Sequence, residues 1–280
     1  MLIDFHTHIF PPCFQARREE LVARDATFAA LFKDPRSRMA TAEDVVKAMD
    51  EVGVDISVVM GLGWTDFQIA QEANDYIIES IRRFPGKLFG FCSVNPAWGN
   101  RAVTEIDRCA SHGISGVGEL HADSQAFDIA SAEMMDPIMQ ITKRFDMAVL
   151  VHASEPVGHI YPGKGFTTPD KLEIFIKNFP DNTIVCAHWG GGLPFYALMP
   201  EVARDQARVY FDTAASPLLY ASTIFAAVTD MIGSEKILFG TDFPLLTHNR
   251  VLGQIEESSL NQQDRENILG GNAKRILGLS

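Results

Sequence analysis

The chain has 280 residues, 46% of them hydrophobic and 21% charged, a composition typical of globular enzymes. Its formal net charge is -12 at pH 7 and its basic residues form no long run, which argues against nucleic acids and anionic membranes as partners. No apolar stretch approaches the ~20 residues of a membrane-spanning helix and no secretory signal is recognisable at the start, so we expect a cytoplasmic protein.

Short apolar segments alternate with amphipathic ones along the chain, which predicts repeated units of a β-strand followed by an α-helix. The first strand is predicted over residues 2–6. The polar stretch that follows, residues 11–40, is too long for an ordinary loop and predicts a lid or a small helical insertion. Thr41 then opens a helix, with Asp44 placed to form a capping box, and Gly53 ends it.

Seven further strands are predicted, with helices between them. They cover residues 54–60, 88–94, 114–120, 147–151, 183–187, 209–212 and 236–240. Eight strands that alternate with helices, without a linker or a break in composition, predict a single (β/α)8 barrel over residues 1–280. A doubly wound open sheet is the alternative. No glycine-rich phosphate-binding motif follows a strand, so a nucleotide site has no support.

Residues that can bind a metal ion recur at the carboxyl ends of these strands, the edge at which barrel enzymes build their active sites. His6 and His8 stand two apart on the first strand, so both rings point to the same face. The pair alone is a weak motif, but six such residues at one barrel mouth predict a shared divalent-metal site. Imidazole and carboxylate ligands suit zinc, which we expect first, or manganese, as one or two ions. The full set is His6, His8, Glu119, His152, His188 and Asp242.

Four segments resemble those of the amidohydrolase superfamily: residues 3–8 (IDFHTH), 187–191 (AHWGG), 239–244 (FGTDFP) and 269–275 (LGGNAKR). The closest resemblance is to its amidohydrolase-related branch, which contains semialdehyde and resorcylate decarboxylases and a lactonase. This resemblance implies a distorted TIM barrel with a divalent metal. It also implies that His6, His8, His152 and Asp242 bind the metal, and that His188 is a further ligand or a catalytic residue.

Glu119 departs from the pattern of the decarboxylase branch. In the two-metal hydrolases of the superfamily, a carboxylated lysine or a glutamate on this strand bridges two ions. The decarboxylase branch usually works with one ion and no bridge. The segment around Glu119 resembles that of TatD-type nucleases, whose glutamate is a ligand. The alternative is a structural role, in which Glu119 accepts hydrogen bonds from a neighbour or a loop amide.

Three functional hypotheses follow. The first is a metal-dependent hydrolase of a small ester, lactone or amide, in which Asp242 carries the proton of a metal-activated water and His188 orients that water or stabilises negative charge. The alternative is a metal-dependent, non-oxidative decarboxylase, a lyase, that acts on a small aromatic or unsaturated acid. There Asp242 holds the metal while a nearby acid protonates the substrate carbon. The third is a barrel that keeps its metal for structure only.

Substrate contacts are expected from the loops at the barrel mouth. Aromatic and imidazole side chains in or beside these loops are the candidates, namely His121, His159, Tyr161 and Trp189. Three cations can bind a substrate carboxylate, namely Arg17, Lys164 and Arg250. A small molecule is therefore the expected partner, and the apolar composition is compatible with a homodimer.

Overall fold

The computed structural model describes residues 1–204 and 206–279. Eight parallel strands, labelled β1 to β8, form one sheet whose spatial order is the chain order. All eight carboxyl ends therefore meet at one edge, which confirms the predicted (β/α)8 TIM barrel. The strands are β1 Ile3–His8, β2 Ile56–Met60, β3 Leu88–Cys92, β4 Gly116–Leu120, β5 Ala148–Val151, β6 Ile184–Cys186, β7 Val209–Asp212 and β8 Ile237–Leu238.

The barrel closes between β1 and the segment that follows β8. The backbone N–H of Asp242 donates to the carbonyl of His6 at 2.9 Å, and that of His8 donates to the carbonyl of Phe243 at 2.7 Å. β8 itself has only two residues, so much of the closure relies on this irregular segment. As a result the backbone of Asp242 is fixed directly beside the two histidines of β1.

Helices connect the strands. The longest, Phe67–Arg83, buries the apolar face that carries Ile69, Ala73 and Ile77. Among the described residues, no helix is long and apolar enough to cross a membrane. The α-helices are Cys13–Ala16, Arg18–Arg24, Ala26–Phe32, Ala42–Val52, Phe67–Arg83, Asn100–Ser111, Ala132–Arg144, Pro169–Asn178, Pro200–Arg204, Ser216–Leu219, Ile224–Ile232, His248–Glu256, Gln262–Glu266 and Asn272–Ile276. Short 3-10 turns lie at Pro96–Trp98, Leu193–Tyr196 and Ser234–Lys236, a π turn at Asn267–Gly271, and a single turn with left-handed residues at Ala187–Gly190.

The helix Ala42–Val52 begins and ends where its sequence predicts. Thr41 Oγ1 accepts a hydrogen bond from the backbone N–H of Asp44, and the Asp44 carboxylate accepts one from the N–H of Thr41. This pair is the capping box. Gly53 adopts a left-handed φ of 82°, which a glycine tolerates without strain, and the chain then turns into β2.

Residues 11–40, predicted as a lid or a small helical insertion, contain three short helices between β1 and the helix Ala42–Val52. Their apolar side chains form a cluster with the fully buried Trp64. The ring of Phe28 stacks on that of Trp64 with centroids 6.0 Å apart. Leu31 and Phe32 line a cavity at the barrel mouth, so this packing anchors the segment beside the candidate site.

Two strands carry irregularities that reorient their side chains. Ile3 and Phe5 belong to a buried cluster drawn from alternate positions of β1, β2, β5 and their neighbours, which fills the barrel interior. The pairing register of β1 shifts between Asp4 and Thr7, and that of β4 shifts between Val117 and Leu120. Such bulges re-aim the residues that follow. They allow the metal-binding residues of β1 and β4 to point into the mouth.

Candidate metal centre and active site

Side chains of the six predicted metal-site residues come together at the carboxyl edge of the barrel. The Nε2 atoms of His6 and His8 lie 3.1 Å apart. His188 Nε2 lies 3.2 Å from His152 Nδ1, and Asp242 Oδ1 lies 3.3 Å from His8 Nε2. All four imidazoles are buried. Residues that are far apart in the chain thus form one compact set of nitrogen and oxygen donors.

Glu119 lies between two groups of imidazoles. Its Oε1 is 2.8 Å from His152 Nδ1 and 3.4 Å from His188 Nε2. Its Oε2 is 3.9 Å from His6 Nε2 and 3.7 Å from His8 Nε2. Both groups offer three ligand atoms within 4.8 Å of one another, and they share this carboxylate. The position of Glu119 is compatible with binding one ion or with bridging two.

Backbone carbonyls on the outer side of the rings set the tautomers of two histidines. His8 Nδ1 lies 2.8 Å from the carbonyl of Gly61, and His188 Nδ1 lies 3.0 Å from the carbonyl of Ala214. A carbonyl only accepts hydrogen bonds, so each Nδ1 carries the proton and each Nε2 presents a lone pair to the centre. Converging lone pairs are the arrangement that a bound cation stabilises.

Asp212, at the end of β7, was not assigned a role from the sequence. Its Oδ2 lies 2.8 Å from Nδ1 of His6, and both side chains are fully buried. Its Oδ1 accepts hydrogen bonds from the backbone N–H groups of His188 and Ala214, each at 3.0 Å. One carboxylate therefore orients two residues of the centre. The sequence did contain a signal for Asp212, because this acidic residue ends a predicted strand, as the predicted metal-site residues do.

The charges of the centre favour a bound cation. Burial opposes protonation of His6, but the nearby carboxylates of Asp212, Glu119 and Asp242 outweigh burial and raise the pKa of His6 to about 10. For His188, burial is likewise outweighed by Glu119 and Asp242, which raise its pKa to about 9. Carboxylates thus dominate this buried pocket. A divalent metal ion supplies the positive charge they require, and the imidazole and carboxylate donors fit it.

The metal-site side chains line one end of a cavity of about 410 Å³. Most of the other walls are apolar. Arg38 also lines it, with an exposed side chain that has no ion-pair partner among the described residues. It lies within residues 11–40 but was not among the cations predicted to bind substrate. The apolar wall consists of Leu31, Phe32, Leu62, Pro162, Ala215, Leu218, Leu219, Pro244 and Leu245.

Three of the four predicted substrate-contact residues line this cavity, namely His121, His159 and Tyr161. The ring of His121 stacks on that of His152 with centroids 4.1 Å apart, and its Nε2 is 2.9 Å from the carbonyl of Gly163. Burial, followed by the charge of His152, lowers the pKa of His121 to about 4. His121 therefore offers a neutral imidazole to the cavity at neutral pH.

Trp189, the fourth predicted contact, is not part of the described cavity wall. Its side chain is fully buried, its Nε1 donates to Ser216 Oγ at 2.9 Å, and its ring packs edge-on against Phe225. Trp189 has a left-handed φ of 57°, as does its neighbour His188 with 55°. This turn after β6 directs the indole into the core, so the structure places Trp189 as a packing residue.

Two of the predicted substrate-binding cations are bonded within the protein. Arg17 pairs with Glu20 and Glu72, at 2.8 Å and 2.7 Å. Lys164 donates to the carbonyls of Val157 and His159, at 2.6 Å and 3.1 Å. Neither residue lines the cavity at the metal centre. Arg38 is thus the guanidinium that the fold brings to this cavity.

The Amidohydrolase family model matches residues 3–279 of the chain. The chain is 23% identical to the 2-amino-3-carboxymuconate-6-semialdehyde decarboxylase of Dictyostelium discoideum, over 99% of this chain and 91% of that protein. The fold is similar to that of 5-carboxyvanillate decarboxylase from Sphingomonas paucimobilis, with a TM-score of 0.82, 15% identity and coverage of 100% and 99% of the two chains.

A second similar structure is a dihydroxybenzoic acid decarboxylase from Polaromonas sp. JS666, described with bound manganese and the inhibitor 2-nitroresorcinol. It has a TM-score of 0.77 and 20% identity, and the match covers 99% of this chain and 96% of that chain. Both solved structures have low sequence identity to this chain, so their similarity demonstrates the shared barrel fold.

These findings correct one prediction and support others. The first hypothesis, hydrolysis of an ester, lactone or amide, is wrong, because the relative and both similar structures are decarboxylases. The decarboxylase alternative is the better supported. A divalent metal is supported by the donor set and by the manganese in a similar structure, whereas zinc has no such support. The predicted resemblance is confirmed: the chain belongs to the Amidohydrolase family and is an enzyme of that superfamily.

Proposed function

We propose that the protein is a metal-dependent, non-oxidative decarboxylase that acts on a small aromatic or unsaturated carboxylic acid. One observation carries this proposal: a buried set of imidazole and carboxylate donors opens into a largely apolar cavity of about 410 Å³ with Arg38 on its wall. A flat apolar body and an acidic group together match this combination. The decarboxylase activity of the similar proteins supports the same reading.

The cavity binds the two parts of such a substrate differently. Leucine side chains, among them Leu62 and Leu218, pack against the ring or the unsaturated chain. Arg38 pairs with an anionic oxygen, since a guanidinium is well suited to carboxylates.

Four residues, His6, His8, His152 and Asp242, would hold the metal ion, with Glu119 and His188 completing the set. A bound divalent ion withdraws electron density from the oxygen atoms of the substrate and so stabilises the negative charge left by carbon–carbon cleavage. We propose manganese as the ion, on the basis of the similar structure that contains it. Mixed nitrogen and carboxylate donors are compatible with that choice.

Decarboxylation requires one proton. When the bond to the carboxyl group breaks, CO2 leaves and the electron pair that remains on carbon takes up the proton. We assign the relay of this proton to Asp242, whose carboxylate would take it from solvent and pass it to the carbon. Asp242 lines the cavity and has a single ion-pair partner among the described residues, His8. Burial raises the pKa of Asp242, but His8 outweighs burial and holds this pKa below its usual value. Glu119 is less free, because it bonds His152 at 2.8 Å.

The proposal is tested with metal-loaded protein and a panel of acids that includes 2,6-dihydroxybenzoate and 5-carboxyvanillate. Release of CO2 is measured together with the decarboxylated product, and the two should appear in equal amounts. Activity should disappear on treatment with a chelator and return with Mn2+. Failure of every acid to release CO2 from protein shown to contain its metal would contradict the proposal.

A further inference from the structure

A second cavity, of about 280 Å³, adjoins the one at the metal centre. The two share His159, Tyr161 and Leu219 as wall residues. The second cavity lies between the loop that follows β5 and the turn at Gly191 and Gly192 that follows β6. The two spaces therefore meet at these three side chains.

Glu155 places an unbalanced carboxylate in this second cavity. Its Oε2 accepts a hydrogen bond from the hydroxyl of Tyr161 at 3.0 Å. Its Oε1 is buried and makes no well-formed hydrogen bond among the described residues, and the hydroxyl of Tyr220 is the neighbouring donor. Lys164 does not supply one, since its ammonium group donates to the carbonyls of Val157 and His159. A buried carboxylate oxygen without a well-aligned donor costs free energy, and a donor brought by a ligand removes that cost.

Aromatic rings surround the remaining space. The rings of Phe195 and Tyr220 have centroids 6.2 Å apart. Gly192 adopts a left-handed φ of 92°, and a Cβ atom there would lie 3.3 Å from the Phe195 ring and 3.6 Å from the Tyr220 hydroxyl. Burial, followed by the charge of Glu155 and a hydrogen bond to its carboxylate, raises the pKa of Tyr220, so this hydroxyl stays protonated. The glycine keeps the space beside both rings open.

We infer that the second cavity is a substrate subsite, in which Glu155 accepts a hydrogen bond from a hydroxyl or amino substituent. The inference rests on the proposed decarboxylase and deepens it by naming the substrate class. The substrate is an aromatic or unsaturated acid whose carboxyl group lies at the metal centre. Its hydrogen-bond donor lies remote from that carboxyl group. An ether in the same position makes no hydrogen bond to Glu155, and an anion is repelled by it.

Binding to metal-loaded protein, measured by calorimetry, tests this subsite directly. The probes are 2-phenylethanol and phenethylamine, with the methyl ether of 2-phenylethanol as the molecule that cannot donate. Wild-type protein should bind the alcohol and the amine at least tenfold more tightly than the ether. Glu155→Met should remove this difference. The same change at Glu51, an exposed residue near the end of the helix that leads into the start of β2, should preserve it.

A further variant and an activity measurement complete the test. If Glu155→Met does not fold, Glu155→Gln removes only the charge and should weaken phenethylamine binding at least tenfold. In the CO2 assay, a salicylic acid that carries a hydroxymethyl group should exceed its methoxymethyl analogue at least tenfold in kcat/KM, and Glu155→Met should abolish the preference.

Equal binding of alcohol and ether by wild type, or discrimination that survives in Glu155→Met, overturns the subsite. Absence of CO2 release from every acid counts against the decarboxylase instead, because the binding measurements decide the subsite independently.

Discussion

Asp212 Oδ2 lies 2.8 Å from His6 Nδ1, although the two residues are 206 positions apart in the chain. Both are fully buried, and the other Asp212 oxygen accepts from the backbone N–H of His188. The carboxylate holds the proton on His6 Nδ1 and leaves Nε2 free to bind metal. Asp212 therefore orients the metal-binding atoms of the centre without being one of the six donors that converge there.

Replacing Asp212 with Asn should weaken metal binding about 10- to 100-fold, the usual cost of losing such a supporting carboxylate. If the amide nitrogen of the variant faces His6, it donates to Nδ1 and the ring proton moves to Nε2, the atom that should bind metal. If the amide oxygen faces His6 instead, the amide nitrogen faces the backbone N–H of His188 and that hydrogen bond is lost. Titration of metal-free protein with Mn2+ measures the effect. Asp230→Asn, at an exposed position, is the matched control and should bind like wild type. Equal affinity of Asp212→Asn and wild type would remove Asp212 from this role.

Asp242→Asn should lower kcat/KM at least 100-fold, because an amide cannot deliver the proton that decarboxylation requires. The fold should persist, since the barrel closure involves the backbone of Asp242 and not its side chain. CO2 release and the thermal unfolding temperature measure the two properties. Undiminished turnover in a correctly folded variant would show that another group supplies the proton.

Arg38→Gln should raise KM for an acid substrate about tenfold or more and change kcat less, because a charge-assisted hydrogen bond to the substrate is lost. Arg36→Gln is a close control. Arg36 is two positions away, is 90% exposed and pairs with Asp34 outside the cavity. Steady-state kinetics of both variants measure KM and kcat and so test the contact between Arg38 and the substrate. If KM rises equally in both, the effect is not specific to the cavity wall.

Glu105 should contribute to stability in a pH-dependent way. Burial raises its pKa, but hydrogen bonds from Arg108 and Asn74 outweigh burial and hold the pKa below its usual value of 4.5. A carboxylate with a lowered folded-state pKa stabilises the fold above the unfolded-state pKa, and this stability is lost as the pH falls through the folded-state pKa. Glu105→Gln should therefore lower the free energy of unfolding by about 1.5–3 kcal/mol at pH 7.

Urea unfolding of Glu105→Gln and wild type, at pH 7 and at stepwise lower pH, measures this contribution. The difference between the two proteins should shrink as the pH falls below about 4.5, because the wild-type carboxylate then takes up a proton. Glu51→Gln, which removes an exposed charge, should remain close to wild type throughout. A difference that is constant with pH would show that the charge of Glu105 is not involved.

The sequence by itself determined the barrel and predicted the residues that come together at its candidate metal centre. Strand and helix periodicities are local properties, and parallel strands bring their carboxyl ends to a common edge. Residues such as His152 and Asp242 could therefore be assigned to one site before any distance was known. The capping box of Thr41 and Asp44 is another local pattern that the structure reproduces.

Only the tertiary structure decided the features that depend on contacts across the barrel. The pairing of Asp212 with His6 joins β7 to β1, and the register shift in β1 cannot be recognised from an alternating pattern. Trp189 was one candidate for substrate contact, and a left-handed turn after β6 directs its indole into the core. Likewise, the proposed substrate-binding roles of Arg38 and Glu155 follow from the cavities that these residues line. Periodicity and motifs describe neighbours along the chain, whereas charge balance and cavity shape arise from residues that meet only after folding.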